Sequence, residues 1–116
     1  MKSLVMLLVI QFFLVSYADA ETQEESFCRS QAGFAESAAI ARDKGLGKTE
    51  LNNLVAKQTE TLTGFREVGA AIFLGNRAIN YVIGKPGLTP SETFHSYYTE
   101  CQEKQLYQQL VMRLQQ

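Results

Sequence analysis

Two cysteines, Cys28 and Cys101, stand near opposite ends of the chain, and no local pattern constrains its fold as much as a bond between them. The first twenty residues supply the reason to expect that bond. Lys2 is followed by an apolar run over residues 4–15 broken only by Gln11, then by Ser16, Tyr17 and the triplet Ala18-Asp19-Ala20. One early positive charge, a short apolar stretch and an A-x-A site are the parts of a secretory signal peptide, so cleavage is expected after Ala20. A membrane anchor needs roughly 20 apolar residues, more than this run contains. The product expected is one domain over 21–116, with no transmembrane span once the leader is removed, in the periplasm or secreted. An oxidising compartment favours pairing Cys28 with Cys101. Closing so long a loop stabilises the fold by about 4 kcal/mol on the chain-entropy account. That is a large share of a usual net stability of about 5–15 kcal/mol. A reactive dithiol is the weaker reading, because no C-x-x-C spacing is present to depress a thiol pKa.

The rest of the chain has helical periodicity. A first helix is predicted over 24–44, where Phe27, Cys28, Ala32, Phe34, Ala35, Ala38, Ala39 and Ala41 share one arc interrupted by Gln31 and Arg42. Its many alanines allow a partner helix to approach closely, and Gly45 is a suitable C-terminal stop. A second helix begins near Gly47, carries Leu51, Leu54 and Val55, and places Glu50 where it can reach back to free amides. It is expected to fray over 58–63, ahead of Gly64. In the third, Phe65, Val68, Ile72, Gly75, Ile79 and Val82 recur at spacings of three and four, widened by Ala71, Leu74, Ala78 and Ile83, so this helix should be central. Asn76, Arg77 and Asn80 interrupt it too early for a membrane span. Arg66 and Arg77 must therefore reach solvent or pair with a carboxylate such as Glu67 or Glu36. Leu88-Thr89-Pro90-Ser91-Glu92 is the strongest local signal: an N-cap threonine, proline at the first helical position and glutamate at the third complete a capping box. The fourth helix starts there and buries Phe94, Tyr97, Tyr98 and Cys101. Beyond Cys101 the stripe moves to Leu106, Tyr107, Leu110, Val111 and Leu114. The segment 102–116 therefore either docks on the first or second helix or projects as an interaction surface. No strand pattern competes, and the expected fold is all-α: a small antiparallel bundle of four to five helices stapled by one disulfide.

Composition narrows the chemistry. Eleven basic and twelve acidic residues leave a net charge of −1, which gives no basic field for nucleic acid. One histidine and two cysteines offer little for a metal or catalytic centre, and none is expected, nor any cofactor. Gly47-Lys48-Thr49 mimics the end of a phosphate-binding loop, but Arg42 stands where that loop needs glycine and a helix precedes it in place of a strand. Its capping role accounts for it. His95 has no serine or cysteine beside it in a nucleophilic motif, and with Glu92 or Glu100 it makes at most a weak metal pair. Pairs such as Glu24 with Glu25 read as solvated faces. Phe94, Tyr97 and Tyr98 could line a pocket for a lipid or small apolar ligand against the alanine face of the first helix, although core packing is the simpler use of such residues.

An early helical cysteine, the run Ala41-Arg42-Asp43-Lys44-Gly45-Leu46, Asn80-Tyr81-Val82 leading through Pro86 to Leu88-Thr89-Pro90-Ser91-Glu92, and a late cysteine together make a layout. It resembles the small periplasmic or secreted helical proteins of Gram-negative bacteria. Acid-stress chaperones of the HdeA kind and the periplasmic immunity proteins against type VI secretion toxins share it, although the former need more titrating carboxylates than this chain carries. The resemblance carries over no site; together with the absence of catalytic motifs it leads to the expectation of a non-enzymatic exported protein that binds another protein, and the shifted stripe of Leu106, Tyr107, Leu110, Val111 and Leu114 gives the candidate surface. The alternative is a small-ligand or lipid-surface binder that uses Phe94, Tyr97 and Tyr98.

Overall fold

Thr22 caps the first helix described: its Oγ1 accepts from the Glu25 amide at 3.1 Å, while Glu24 and Glu25 lie at the positive end of the helix dipole. The computed structural model describes residues 22–115, the side chain of Phe65 aside, so the leader expected over 1–20 lies outside the described residues. Among the described residues five helices follow one another: α1 (Gln23–Asp43), α2 (Lys48–Thr59), α3 (Phe65–Gly84), α4 (Pro90–Glu103) and α5 (Leu106–Gln115). The all-α, disulfide-stapled bundle read from the sequence is the fold observed, and Cys28 is bonded to Cys101.

Capping chemistry sets most of the boundaries. α1 ends in a Schellman motif, in which the Leu46 amide donates to the Ala41 carbonyl at 3.1 Å and the Gly45 amide to that of Arg42 at 2.9 Å. Gly45 has φ +101°, a conformation that only glycine adopts without strain. At α4 the capping box is complete: Thr89 Oγ1 accepts from the Glu92 amide, and the Thr89 amide donates to Glu92 Oε1 at 3.0 Å. These bonds hold the Glu92 carboxyl below its ordinary range. Gly47 begins α2 without a side-chain cap, and the reach-back expected of Glu50 is not made. α2 stops at Thr59, inside the stretch expected to fray. There Thr59 Oγ1 donates to the Ala56 carbonyl at 2.7 Å and Thr61 Oγ1 to that of Gln58 at 3.2 Å, taking up carbonyls the helix leaves open.

Packing forms three adjoining clusters. α1 and α4 meet most intimately, where Ala35, Ala38 and Ala39 share a cluster with Tyr97 of α4, which Ala78 and Val82 of α3 complete. Small residues on α1 let the tyrosine enter to within 1% exposure. The disulfide forms a second cluster with Leu74 and Leu106, and Leu51, Val55 and Ile79 form a third that holds α2 against α3. α3 is central as expected, packing on α1, α2 and α5. Ile72, assigned to its buried stripe from spacing, instead faces outward at 37% exposure; the buried arc runs through Ala70, Leu74, Ala78 and Val82. Thr93, outside the stripe expected for α4, is buried as well.

Gly75 determines how near α2 comes to α3. A Cβ built there would lie 2.6 Å from Val55 Cγ1, so Gly75→Ala must push the helices apart, at an expected cost of about 1–3 kcal/mol. Gly33, also inside a helix, has nothing within 4 Å of a Cβ, and Gly33→Ala should gain about 0.5–1 kcal/mol by restricting the unfolded chain. Thermal unfolding of the two variants should move the midpoint in opposite directions, and Val55→Ala should restore part of the loss in Gly75→Ala. Shifts of the same sign would show that Gly75 is not a contact point.

Candidate functional site

The segment after Cys101 is docked. Gln105, with φ 51°, breaks the helical path between α4 and α5, a conformation that costs a non-glycine residue about 1–2 kcal/mol. The turn rotates α5 so that Leu106, 1% exposed, enters the cluster around the disulfide. Further contacts fix the segment to α1 and α3. Tyr107 packs its ring 5.4 Å from that of Phe27 and donates to Gln23 Oε1 at 2.9 Å. The Arg113 guanidinium lies 3.9 Å from the Phe73 ring centroid, and Arg66 donates to the Leu114 carbonyl at 3.0 Å. The candidate surface of Leu106, Tyr107, Leu110, Val111 and Leu114 is thus corrected: Leu106 is core, Tyr107, Leu110 and Val111 are half-buried, and Leu114 alone of the five is exposed. The neighbours are α1 and α3, where the sequence reading had offered the first or second helix. Burial of the apolar stripe outweighs the strain at Gln105.

The candidate pocket between the first and fourth helices is corrected as well. Tyr97 fills that space, Tyr98 packs beside the disulfide with its hydroxyl accepting from Gln102 Nε2 at 3.2 Å, and Phe94 is half-buried against the His95 ring. The Tyr97 phenol is pushed up to about 12 by burial, the nearby Arg77 partly opposing and Glu100 adding to the rise. Below about pH 10 both folded and unfolded chains keep this phenol neutral. Above it the unfolded chain ionises first, so stability is lost as pH rises toward 12. At pH 11 the protein should have lost about 1 kcal/mol more than Tyr97→Phe, relative to pH 9. Parallel urea titrations of the two would contradict that burial.

A polar cleft lies beside this tyrosine, lined by Tyr81, Lys85, Ser96, Thr99, Glu100 and Glu103. Ser96 Oγ is hydrogen-bonded to the Tyr81 hydroxyl, and Lys85 Nζ lies 4.7 Å from the Tyr81 ring centroid. The hydroxyl of Ser96 is therefore engaged by a phenol, and His95, one position away, is exposed with its ring against Phe94. A base-activated nucleophile is not assembled there. No group of three or more His, Cys, Asp and Glu side chains is placed to hold a metal among the described residues. Gly47 serves as the N-cap of α2, the role read for Gly47-Lys48-Thr49.

The apolar opening that sequence reasoning missed lies between α1 and α2. α2 leans on α3 through Leu51, Val55 and Ile79, and on the α1 side Phe34 and Ala41 pack against the same cluster, Phe34 with the one long side chain of the two. Two clefts open along this seam, both lined by Phe34 and Gln58. One of about 300 Å³ is bounded by Gln31, Val55, Thr59, Leu62, Ala71, Leu74 and Gly75. The other, about 190 Å³, is bounded by Ser37, Ala38, Ala41, Leu51, Leu54 and Ile79. No lining residue of either carries a formal charge, and Leu54 and Leu62 stand at 47% and 41% exposure. In the sequence, Leu54 belongs to the same apolar face as Leu51 and Val55, so nothing local separates it from the core. No protein-family model matches this chain, and neither a curated protein nor a solved structure does.

Proposed function

We propose that this is an exported, non-enzymatic binding protein that takes hold of another protein in the periplasm or extracellular space, through the groove between α1 and α2. One observation carries the reading: an uncharged, largely apolar groove of two adjoining clefts, both lined by Phe34 and lipped by exposed Leu54 and Leu62. Export is supported by the leader pattern at 1–20 and by a buried disulfide that an oxidising compartment maintains. The layout shared with small exported helical proteins agrees with it. A second reading, a small apolar or lipid ligand, is favoured by the volume of the larger cleft, which reaches the lower end of the range for small-molecule sites.

The test is photo-crosslinking in an exporting host. A photoreactive side chain at Leu54 or Leu62 should capture the same single protein, while one at exposed Ile72 should not. Capture from all three positions alike would refute the groove as the binding face. A lipid co-purifying with the intact protein in native mass spectrometry, with no protein captured, would establish the second reading in its place.

A further inference from the structure

The two clefts and their spacing specify the kind of segment the groove takes. We infer that its occupant is an amphipathic α-helix whose stripe carries two bulky uncharged side chains one turn apart, one entering each cleft; this rests on the protein-binding reading above. Phe34 and Gln58 line both clefts, so the two are neighbouring holes that share a wall. Passing from the larger to the smaller moves from Gln31 to Ser37 on α1, from Thr59 to Leu54 on α2 and from Leu74 to Ile79 on α3. Five or six residues at about 1.5 Å each make roughly 8 Å, about 2 Å more than the rise between positions i and i+4 of a helix laid along the seam, a difference that two splayed bulky side chains span.

The chemistry of the walls excludes other occupants. One residue in five of the chain is charged, yet none that lines the groove is, so an inserted ionic group would lose its water without gaining a partner. An extended peptide would bring unpaired amides and carbonyls to walls made of helices, whose own backbone bonds are already internal. A helix arrives with those groups satisfied. A free alkyl chain would need one continuous channel, whereas the lining falls into two separate clefts that share only Phe34 and Gln58. Gln31, Ser37, Gln58 and Thr59 supply the neutral polar groups that a helix flank can meet.

The probes are two alanine-, glutamate- and lysine-rich host helices of about 16 residues, each labelled with a fluorophore. One carries two leucines four positions apart; its isomer of identical composition carries them two apart, on different sides of the helix. Anisotropy titrations use the full protein as processed and secreted by its exporting host. The four-apart peptide should bind about ten-fold more tightly than the isomer, and Gln58→Glu, an exposed substitution that sets a charge over both clefts, should weaken it by at least about five-fold. Equal binding of the two isomers, or binding indifferent to Gln58→Glu, would overturn the inference. Should a partner cross-link from Leu54 while the isomers remain indistinguishable, the inference falls and the protein-binding reading stands. Should neither peptide bind at about 1 mM while the uncharged probe N-phenyl-1-naphthylamine does, both fall in favour of a small apolar ligand.

Discussion

Replacing Cys28 and Cys101 together by alanine should remove about 4 kcal/mol of stability, the largest loss expected from any change short of rebuilding the core. The two cysteines are 73 positions apart, so the bond withdraws a long loop's worth of freedom from the unfolded chain. Both sulfurs are also enclosed by Leu74, Leu106, Phe27 and Phe73, and alanine leaves a void there. Urea unfolding should show a lower midpoint together with a steeper dependence on denaturant, because the unfolded chain without its cross-link exposes more surface. A loss under about 1 kcal/mol would mean that packing alone secures α1 on α4. The same quantity bears on location: in a reducing cytoplasm the chain lacks this contribution, whereas an exported protein keeps it.

The second large effect belongs to Arg42. Its side chain, one-tenth exposed, leaves the end of α1 and reaches the turn between α3 and α4. There Nη1 donates to the carbonyls of Val82 at 2.9 Å and Lys85 at 3.1 Å, and Nη2 to that of Leu88 at 2.8 Å. Asp43 Oδ1 accepts from both Nε and Nη2, at 3.1 and 3.0 Å, and keeps the guanidinium turned toward the carbonyls. These acceptors include the open end of α3, where a cation also meets the negative end of the helix dipole. Arg42→Ala should cost about 3 kcal/mol, since the partly buried Val82 and Leu88 carbonyls lose a charged donor that water replaces poorly. Arg42→Met, which keeps the apolar stem, should cost nearly as much. Arg42→Lys should recover only part, because an ammonium cannot span the three acceptors with a planar fork. Amide exchange at Leu88 should quicken in all three, as its bond to the Lys85 carbonyl belongs to the same turn. An alanine variant within about 1 kcal/mol of the parent would reduce the clamp to a surface contact.

Arg42 also illustrates where reading along the chain ends. In the sequence it is an interruption in the alanine face of the first helix, and local pattern says nothing of partners forty or more positions away. Gln105 is similar: the shift of the apolar stripe after Cys101 was visible, but no glycine or proline announced a left-handed residue between α4 and α5. The choice between a docked and a projecting segment consequently stayed open in the sequence, and Leu106, a candidate for the surface, is core. Ile72 erred in the opposite sense, because a helix touched by three neighbours buries an arc set by where they lie as well as by its own periodicity. The α1–α2 groove could not be foreseen from either helix. It exists because α2 is drawn to α3 by the Gly75–Val55 approach, leaving Phe34 to bridge a gap.

What was legible from residues alone is all short-range or compositional. Capping at Thr89 and Glu92, the stop at Gly45, the helical class and the pairing of the only two cysteines depend on backbone geometry within a few positions, or on which residues are present at all. The docking of α5, the reach of Arg42 and the opening between α1 and α2 depend on the relative placement of helices. That placement is settled by the competition of many weak contacts, each small beside the total, and is defined only when all five helices are packed together.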